Sequence, residues 1–306
     1  MKEFIKYLQG RDLSEATQRY YAYNVRRFFA WYKEDPAGCS EKDIIRYLDY
    51  LQNVLNMQNI TRRNHLISLS HYFDFLELKQ VTSFIKIRGT KRKKLHYIFS
   101  CEELDQLCDD YYHNFIQNIE LTKNLSEKHR RISLLSRHRN HVMLGFLAYQ
   151  GLAGGELDLL HVKDVDFLKA TVKIRSKAGV RTLPLQASQI GALMNYIQSI
   201  RPQFLIGRDE TGKLFLPLLE QACTGSEDTL SIDTSLCRLS KEIALLHPKF
   251  TKTAQIRASV ITHWIQTEGL RRAQYLAGHR SIVSTEEYLP NDIEELIDEV
   301  DKFNPF

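Results

Sequence analysis

The stretch YLAGHRSIVSTEEYL, residues 275–289, holds His279 and Tyr288 nine positions apart. A phenol can act as a nucleophile, and an imidazole can donate a hydrogen bond or exchange a proton, so the pair is able to do chemistry. The same residues have a plainer reading as a loop followed by a helix start. Ser284 and Glu287 fit a capping box, in which the serine caps the backbone and the glutamate reaches back. Both readings stand on this stretch alone.

Two further clusters are suited to anions. IKIRGTKRKKLH, residues 85–96, gathers Lys86, Arg88, Lys91, Arg92, Lys93 and Lys94 without an acid. Such a run is either a phosphate-binding segment or a solvated linker. Arg62, Arg63 and His65 crowd the start of an expected helix, where free backbone N–H groups already favour phosphate.

Composition sets the frame for these residues. The chain has 306 residues, 43% of them hydrophobic and 26% charged, which describes an ordinary folded protein and favours two domains over one. A net charge of +5 is too mild by itself to argue for nucleic acid. No apolar run is long enough for a bilayer, and MKEFIKYLQGRDLS lacks the apolar core and small-residue cleavage site of a signal peptide, so a cytoplasmic protein is expected. The five cysteines, Cys39, Cys101, Cys108, Cys223 and Cys237, are odd in number and form no CxxC pair. Neither a metal site nor a disulfide framework is expected, and the thiols read as reduced and mostly buried.

The elements that must position these residues are mainly helices. From 1 to 85 the apolar spacing is helical throughout. A helix capped at Ser14 turns Tyr20, Tyr21, Val25, Phe28, Phe29 and Tyr32 inward. A second starts at Ser40, and a third carries Leu66, Leu69, Tyr72, Phe73 and Leu76. The basic segment 86–97 has no such period and reads as a linker. Ser100 caps the next helix, and RNHVMLGFLAYQG reads as a buried helix stopped by Gly151. VKDVDF, ATVKIRS and VRTLPL read as short strands, the last two joined by a hairpin at SKAG. Helices resume from Thr234. The expected fold is therefore mainly α, with a helical N-terminal domain (1–85), a linker (86–97) and an α+β domain (98–306) built on a small antiparallel sheet.

This layout, with four stretches, resembles the tyrosine recombinase (phage integrase) family. LSEATQRYYAYNVRRFFAWY is similar to the opening helix of the family's SAM-like core-binding domain. YQGLAGGELDLLHVKDVDF is similar to the box that enters the catalytic sheet, and VKIRSKAGVRTLPL to the hairpin that carries a catalytic lysine. TAQIRASVITHWI and YLAGHRSIVSTEEYL resemble the arginine box, the Gly-His box and the tyrosine nucleophile. Arg257 precedes His279 by 22 positions.

The resemblance implies a catalytic set of Tyr288, Arg257, His279 and Lys177, acting on a phosphodiester of double-stranded DNA. The tyrosine would attack phosphorus and release a 5′-hydroxyl, conserving the bond energy in a 3′-phosphotyrosine, so no cofactor is implied. Arg257 would meet the anionic oxygens with a bidentate fork, His279 would hydrogen-bond the phosphate or the nucleophile's oxygen, and Lys177 would protonate the leaving oxygen. DNA-binding roles fall to Arg62, Arg63, His65, Lys91, Arg92, Lys93 and Lys94. Ile293, Leu296, Ile297 and Val300 make a helical apolar stripe that could pack on its own domain, while the resemblance implies a C-terminal helix that docks on a neighbouring copy, giving a homotetramer on DNA.

Two positions depart from the pattern. Ala153 stands where the family places its first catalytic arginine, and Ala254 stands where a histidine or lysine is usual. Either the chain is a DNA-binding relative without catalysis, or Ala153 is an engineered change, or another arginine fills the gap. The hairpin favours the last. With Ala178-Gly179 as the turn, Lys177 would pair with Val180, and Arg175 would share the face of Lys177 while Arg181 pointed away. Arg175 is thus the expected replacement.

Overall fold

The structure is a computed structural model that describes residues 1–11, 13–87, 97–118, 125–176, 179–207, 209–217 and 232–289. The chain divides into two compact units, Met1–Lys94 and Leu95–Phe306.

The first unit is built from four helices, α1 (Lys2–Gln9), α2 (Glu15–Tyr32), α3 (Glu41–Asn53) and α4 (Asn59–Phe75). Ser14 starts α2 by accepting from Thr17 N, and a capping box between Ser40 and Asp43 starts α3. Phe4, Leu8, Val25, Phe28, Tyr47, Leu51, Leu69 and Phe73 form the buried centre. The buried stripe of α2 runs through Gln18, Ala22, Val25 and Phe28, so Tyr20, expected inside, faces outward beside Tyr23. Asn24 lies inside because its amide donates to Ser68 Oγ at 3.0 Å.

In the second unit, α5 (Cys101–Tyr111) begins with a capping box between Ser100 and Glu103. Next come α6 (Glu127–Gln150) and the short α7 (Gly154–Asp158). Three antiparallel strands follow in the order β1 (Val165–Asp166), β2 (Thr171–Ser176) and β3 (Gly179–Pro184). The remaining helices are α8 (Ala187–Asn195), α9 (Arg201–Phe204), α10 (Asp233–Leu246), α11 (Thr253–Glu268), α12 (Leu270–Ala277) and α13 (Val283–Glu286). The unit is mainly helical with one small antiparallel sheet, as the sequence led us to expect.

Helix α6 is the spine of this unit, with an unbroken buried run from Val142 to Ala148. Gly151 ends it at φ 56°, a left-handed turn where a Cβ would also press on Val260. The hairpin register pairs Ile174 with Arg181, Arg175 with Val180 and Ser176 with Gly179. This corrects the expected pairing, because Val180 faces Arg175 and not Lys177. Gly179 opens β3 at φ 123°, a conformation that suits glycine. Ile174 and Arg181 are buried on one face of the hairpin, while Arg175 and Val180 lie on the other.

Of the four described cysteines, Cys39 and Cys108 are buried and Cys101 and Cys237 exposed, all four as free thiols. Among the described residues, no helix is long and apolar enough to cross a membrane, and no group of histidines, cysteines and carboxylates could hold a metal ion.

Candidate active site

The second turn of α11 presents Arg257, whose guanidinium is gripped on both sides. Nη1 donates to Gly151 O at the end of α6 and to Glu156 Oε2 at 3.2 Å. Nη2 donates to Ala277 O at 2.8 Å, at the end of α12. Burial lowers the pKa of Arg257 from its ordinary value, and Glu156 opposes the change. An arginine so placed keeps its charge. Tyr288 lies close enough to raise the pKa of this guanidinium, against the effect of burial.

His279 follows Gly278, the left-handed residue that stops α12. Its Nε2 lies 3.4 Å from Arg257 Nη2, and its Nδ1 lies 2.9 Å from the hydroxyl of buried Thr285 on α13. Arginine can only donate, so Nε2 must be the accepting nitrogen, and the proton sits on Nδ1 facing Thr285. Burial, followed by the charge of Arg257, lowers the pKa of His279, so the ring is neutral near pH 7. The Tyr288 ring lies parallel to it, with centroids 5.7 Å apart and planes 12° from each other. Thr262 on α11 donates to the Tyr288 carbonyl at 3.4 Å and ties the tyrosine backbone to the helix of Arg257. Ser284 sits inside α13 and not at its N-cap, which is Ile282, so the capping box expected with Glu287 does not start this helix.

Glu156 is the residue that sequence reasoning missed. Besides Arg257, its carboxylate accepts from Ala153 N at 2.9 Å and from Arg181 Nη1 at 2.6 Å. Arg181 is only 3% exposed, and its Nε donates to Leu276 O at 2.7 Å. The signal for Arg181 was alternation along β3. The turn lies one residue earlier than expected, which shifts the pairing by two and leaves Arg175 and Arg181 on opposite faces, so what alternation could not give was which face meets the site.

Arg175 is placed elsewhere. Its fork closes on Asp164, with Nη1–Oδ2 at 2.5 Å and Nη2–Oδ1 at 2.7 Å. Both ends of the fork are thereby engaged, on the hairpin face opposite Arg181. The expectation that Arg175 replaces the missing arginine is corrected on that ground. Lys177 lies outside the described residues, as do Lys91, Arg92, Lys93 and Lys94. Ala153 is half-buried at the start of α7, and Ala254 is exposed in the first turn of α11.

The residues assigned to DNA in the first unit separate into two kinds. His65 is 2% exposed, its Nδ1 is 3.0 Å from the Tyr47 hydroxyl, and burial pushes its pKa down to about 4. Arg62 donates to Leu48 O and Asn59 Oδ1, both at 3.0 Å. These two hold α4 to α3 and are not surface anion ligands, which corrects their assignment. Arg63 is exposed. Arg19, Tyr23 and Arg26 are exposed along α2, and Arg27 lies close enough to lower the pKa of His65 further. The helical spacing of these α2 residues was the signal for a basic face.

Comparison with known proteins bears on this arrangement. Residues 1–82 match the family described as phage integrase, N-terminal SAM-like domain. Tyrosine recombinase XerC of Oceanobacillus iheyensis is 26% identical over 302 residues, covering 93% of this chain and 89% of that protein. Over nearly its whole length the chain is similar to tyrosine recombinases. Tyrosine recombinase XerD of Staphylococcus saprophyticus is 29% identical over 167 residues, 51% of this chain and 52% of that relative. Among solved structures, the post-cleavage complex of XerH site-specific recombinase with a palindromic difH substrate has the same fold. It matches with a TM-score of 0.64 at 16% identity, over 95% of this chain and 80% of that one.

Proposed function

We propose that the chain is a site-specific recombinase that cuts and rejoins double-stranded DNA through a 3′-phosphotyrosyl intermediate on Tyr288. The observation that carries the reading is the shared cluster of Arg257, His279 and Tyr288, with His279 3.4 Å from the arginine and parallel to the tyrosine. In the proposed step the Tyr288 oxygen bonds to phosphorus as the bond to the 5′-oxygen breaks. The phenol proton passes to neutral His279, and Lys177 protonates the departing 5′-oxygen. Arg257 takes the charge that builds on the non-bridging oxygens. The reverse attack by a 5′-hydroxyl of another strand restores the phosphodiester, so no external energy source is needed.

In this reading residues 1–85 grip the duplex through Arg63 and the basic face of α2, 86–97 cross the backbone with Lys91, Arg92, Lys93 and Lys94, and 98–306 carry the chemistry. Assembly as a homotetramer through residues 290–306 belongs to the same proposal. Solved transposon integrase structures of this fold are described in complex with DNA, and that supports duplex DNA as the partner here. Action on DNA also fits the cytoplasmic location expected from the sequence.

Ala153 and Ala254 favour a second reading, a relative that binds DNA without cutting it. Losing one preorganised donor to a transition-state oxyanion costs about 2.7–4 kcal/mol. The two readings separate on a pool of nicked duplexes of random sequence, where the cut strand is lost and the protein–DNA adduct accumulates. An adduct that survives denaturation and is absent from Tyr288→Phe is the expected result. Retained DNA binding with no adduct would establish the second reading.

A further inference from the structure

Three arginines converge on the hairpin end of the second unit, and one of them is incompletely used. Arg181 spends Nε on Leu276 O and Nη1 on Glu156, but its Nη2, fully buried, has no hydrogen-bond partner among the described residues. An unpaired guanidinium nitrogen in the interior is costly unless a ligand completes it. Glu156 is also shared with Arg257, so one carboxylate faces two guanidinium groups. One positive charge is left over, which a bound phosphodiester would balance.

The surroundings fit an anion. A cleft of about 250 Å³ opens beside Arg181, lined also by Ser176, Arg271, Gln274, Gly278 and His279, with no carboxylate among its described lining residues. Gly278 is required there because a Cβ would collide with the Arg181 guanidinium. Position 153 is close by. The carboxylate that accepts from Arg181 is the one that accepts from the backbone of Ala153.

We infer that Arg181 is a catalytic residue that touches the phosphate attacked by Tyr288, supplying from strand β3 the cation that position 153 lacks. The inference rests on the recombinase reading above and deepens it. The group that acts is Nη2, donating to a non-bridging oxygen as its charge grows. Nε and Nη1 hold the fork in place.

The test compares two nicked duplexes in single-turnover cleavage, one with a normal scissile phosphodiester and one with a methylphosphonate there. The methylphosphonate has no charge to neutralise. Arg181→Ala is expected to slow cleavage of the phosphodiester about 100-fold or more, and of the methylphosphonate less than 10-fold. Equal losses on both would mean that Arg181 only shapes the fold, and would overturn the inference. Arg181→Lys, which keeps a charge in the buried site, covers the case in which the alanine variant does not fold. Adding Ala153→Arg to it should restore at least 10-fold, and no restoration would count against a shared charge site. A DNA-free arm titrates orthovanadate, a mimic of the five-coordinate phosphate. Arg181→Lys should weaken its binding at least 10-fold and Tyr288→Phe should not. Vanadate binding that depends on Arg181, with no adduct from the wild type on any duplex, would sink the recombinase reading and leave the phosphate contact standing. Vanadate affinity unchanged in Arg181→Lys would sink the contact itself.

Discussion

His279 lies parallel to Tyr288, with its Nδ1 directed to Thr285 and its Nε2 to Arg257. The stack and the two hydrogen-bonding contacts together determine which nitrogen carries the proton. Thr285 is fully buried, so Thr285→Val keeps the volume and removes only the hydroxyl. The Nδ1 proton then has no acceptor, and the ring is free to flip. We expect cleavage to fall about 10-fold, the lower range for a misplaced proton-transfer group, with DNA affinity unchanged. Single-turnover rates and a binding titration measure both. A rate equal to wild type would mean that the tautomer is irrelevant.

The acid side of the pH–rate profile follows from the same ring. Its folded pKa lies below the ordinary histidine value, chiefly through burial. The accepting form is therefore complete at pH 7 and is lost only as the pH falls through that lowered value. Cleavage should be flat across neutral pH and decline on the acid side of about 6.5. In His279→Asn that decline should disappear along with most of the rate, and an unchanged acid limb in the variant would assign it to another group.

Two glycines of the second unit should respond in opposite ways. Gly278 has φ 66°, and a Cβ there meets the Arg181 guanidinium. Gly278→Ala should cost about 1–3 kcal/mol from backbone strain alone, with further loss from the displaced arginine. Gly155, exposed in α7 with nothing within 4 Å of an added Cβ, should accept alanine at no cost or gain about 0.4–1 kcal/mol. Denaturant midpoints decide the matter. Equal responses at the two sites would contradict the described backbone.

Arg62 and Arg63 are neighbours in sequence with different work. Arg63→Ala should weaken binding to all duplexes alike and flatten the log–log salt dependence by about 0.9 for one lost phosphate contact. Arg62→Ala should leave that slope alone and lower the melting temperature, because its side chain joins Leu48 O to Asn59. A flatter salt slope in Arg62→Ala would return it to the DNA-facing set.

Acid stability gives a further check. His65 is neutral in the fold, with a pKa near 4 against an ordinary 6.5. Above pH 6.5 neither state is protonated and the residue adds no pH dependence. Between 6.5 and about 4 the unfolded chain takes up a proton that the fold refuses, so stability falls as the pH is lowered. His141, also held near 4 by burial, acts in the same direction in the second unit. Melting temperature against pH should drop across this window, and His65→Gln should flatten the drop. A curve unchanged by that substitution would assign the acid sensitivity elsewhere.

Much of this architecture was legible in the residues. Caps at Ser14, Ser40 and Ser100 act through neighbouring side chains and backbone, so local pattern suffices to find them. That Arg257, His279 and Tyr288 come together was expected from the resemblance carried by their order and spacing, and they do lie side by side. Three readings needed the third dimension. The hairpin turn lies one residue earlier than the residues suggested, which shifts each pairing by two and keeps Arg175 and Arg181 on opposite faces. Alternation gave those two faces, but not that the one carrying Arg181 is turned to Glu156. His65 looked like a surface ligand until its partner Tyr47, 18 positions earlier, came into view. Glu156 fits an ordinary helix start, and only tertiary contact reveals that two arginines share it.

The grip on Arg257 has one more consequence. Two of its anchors are carbonyls at helix ends, Gly151 O closing α6 and Ala277 O closing α12, and both helices stop in left-handed glycines. Last turns usually fray at a free-energy cost far below that of global unfolding. Here both are buried, through Leu147, Ala148 and Gln150 in α6 and Leu276 and Ala277 in α12, so neither carbonyl can withdraw without opening the core. The site should therefore keep its geometry on warming until the unit itself unfolds.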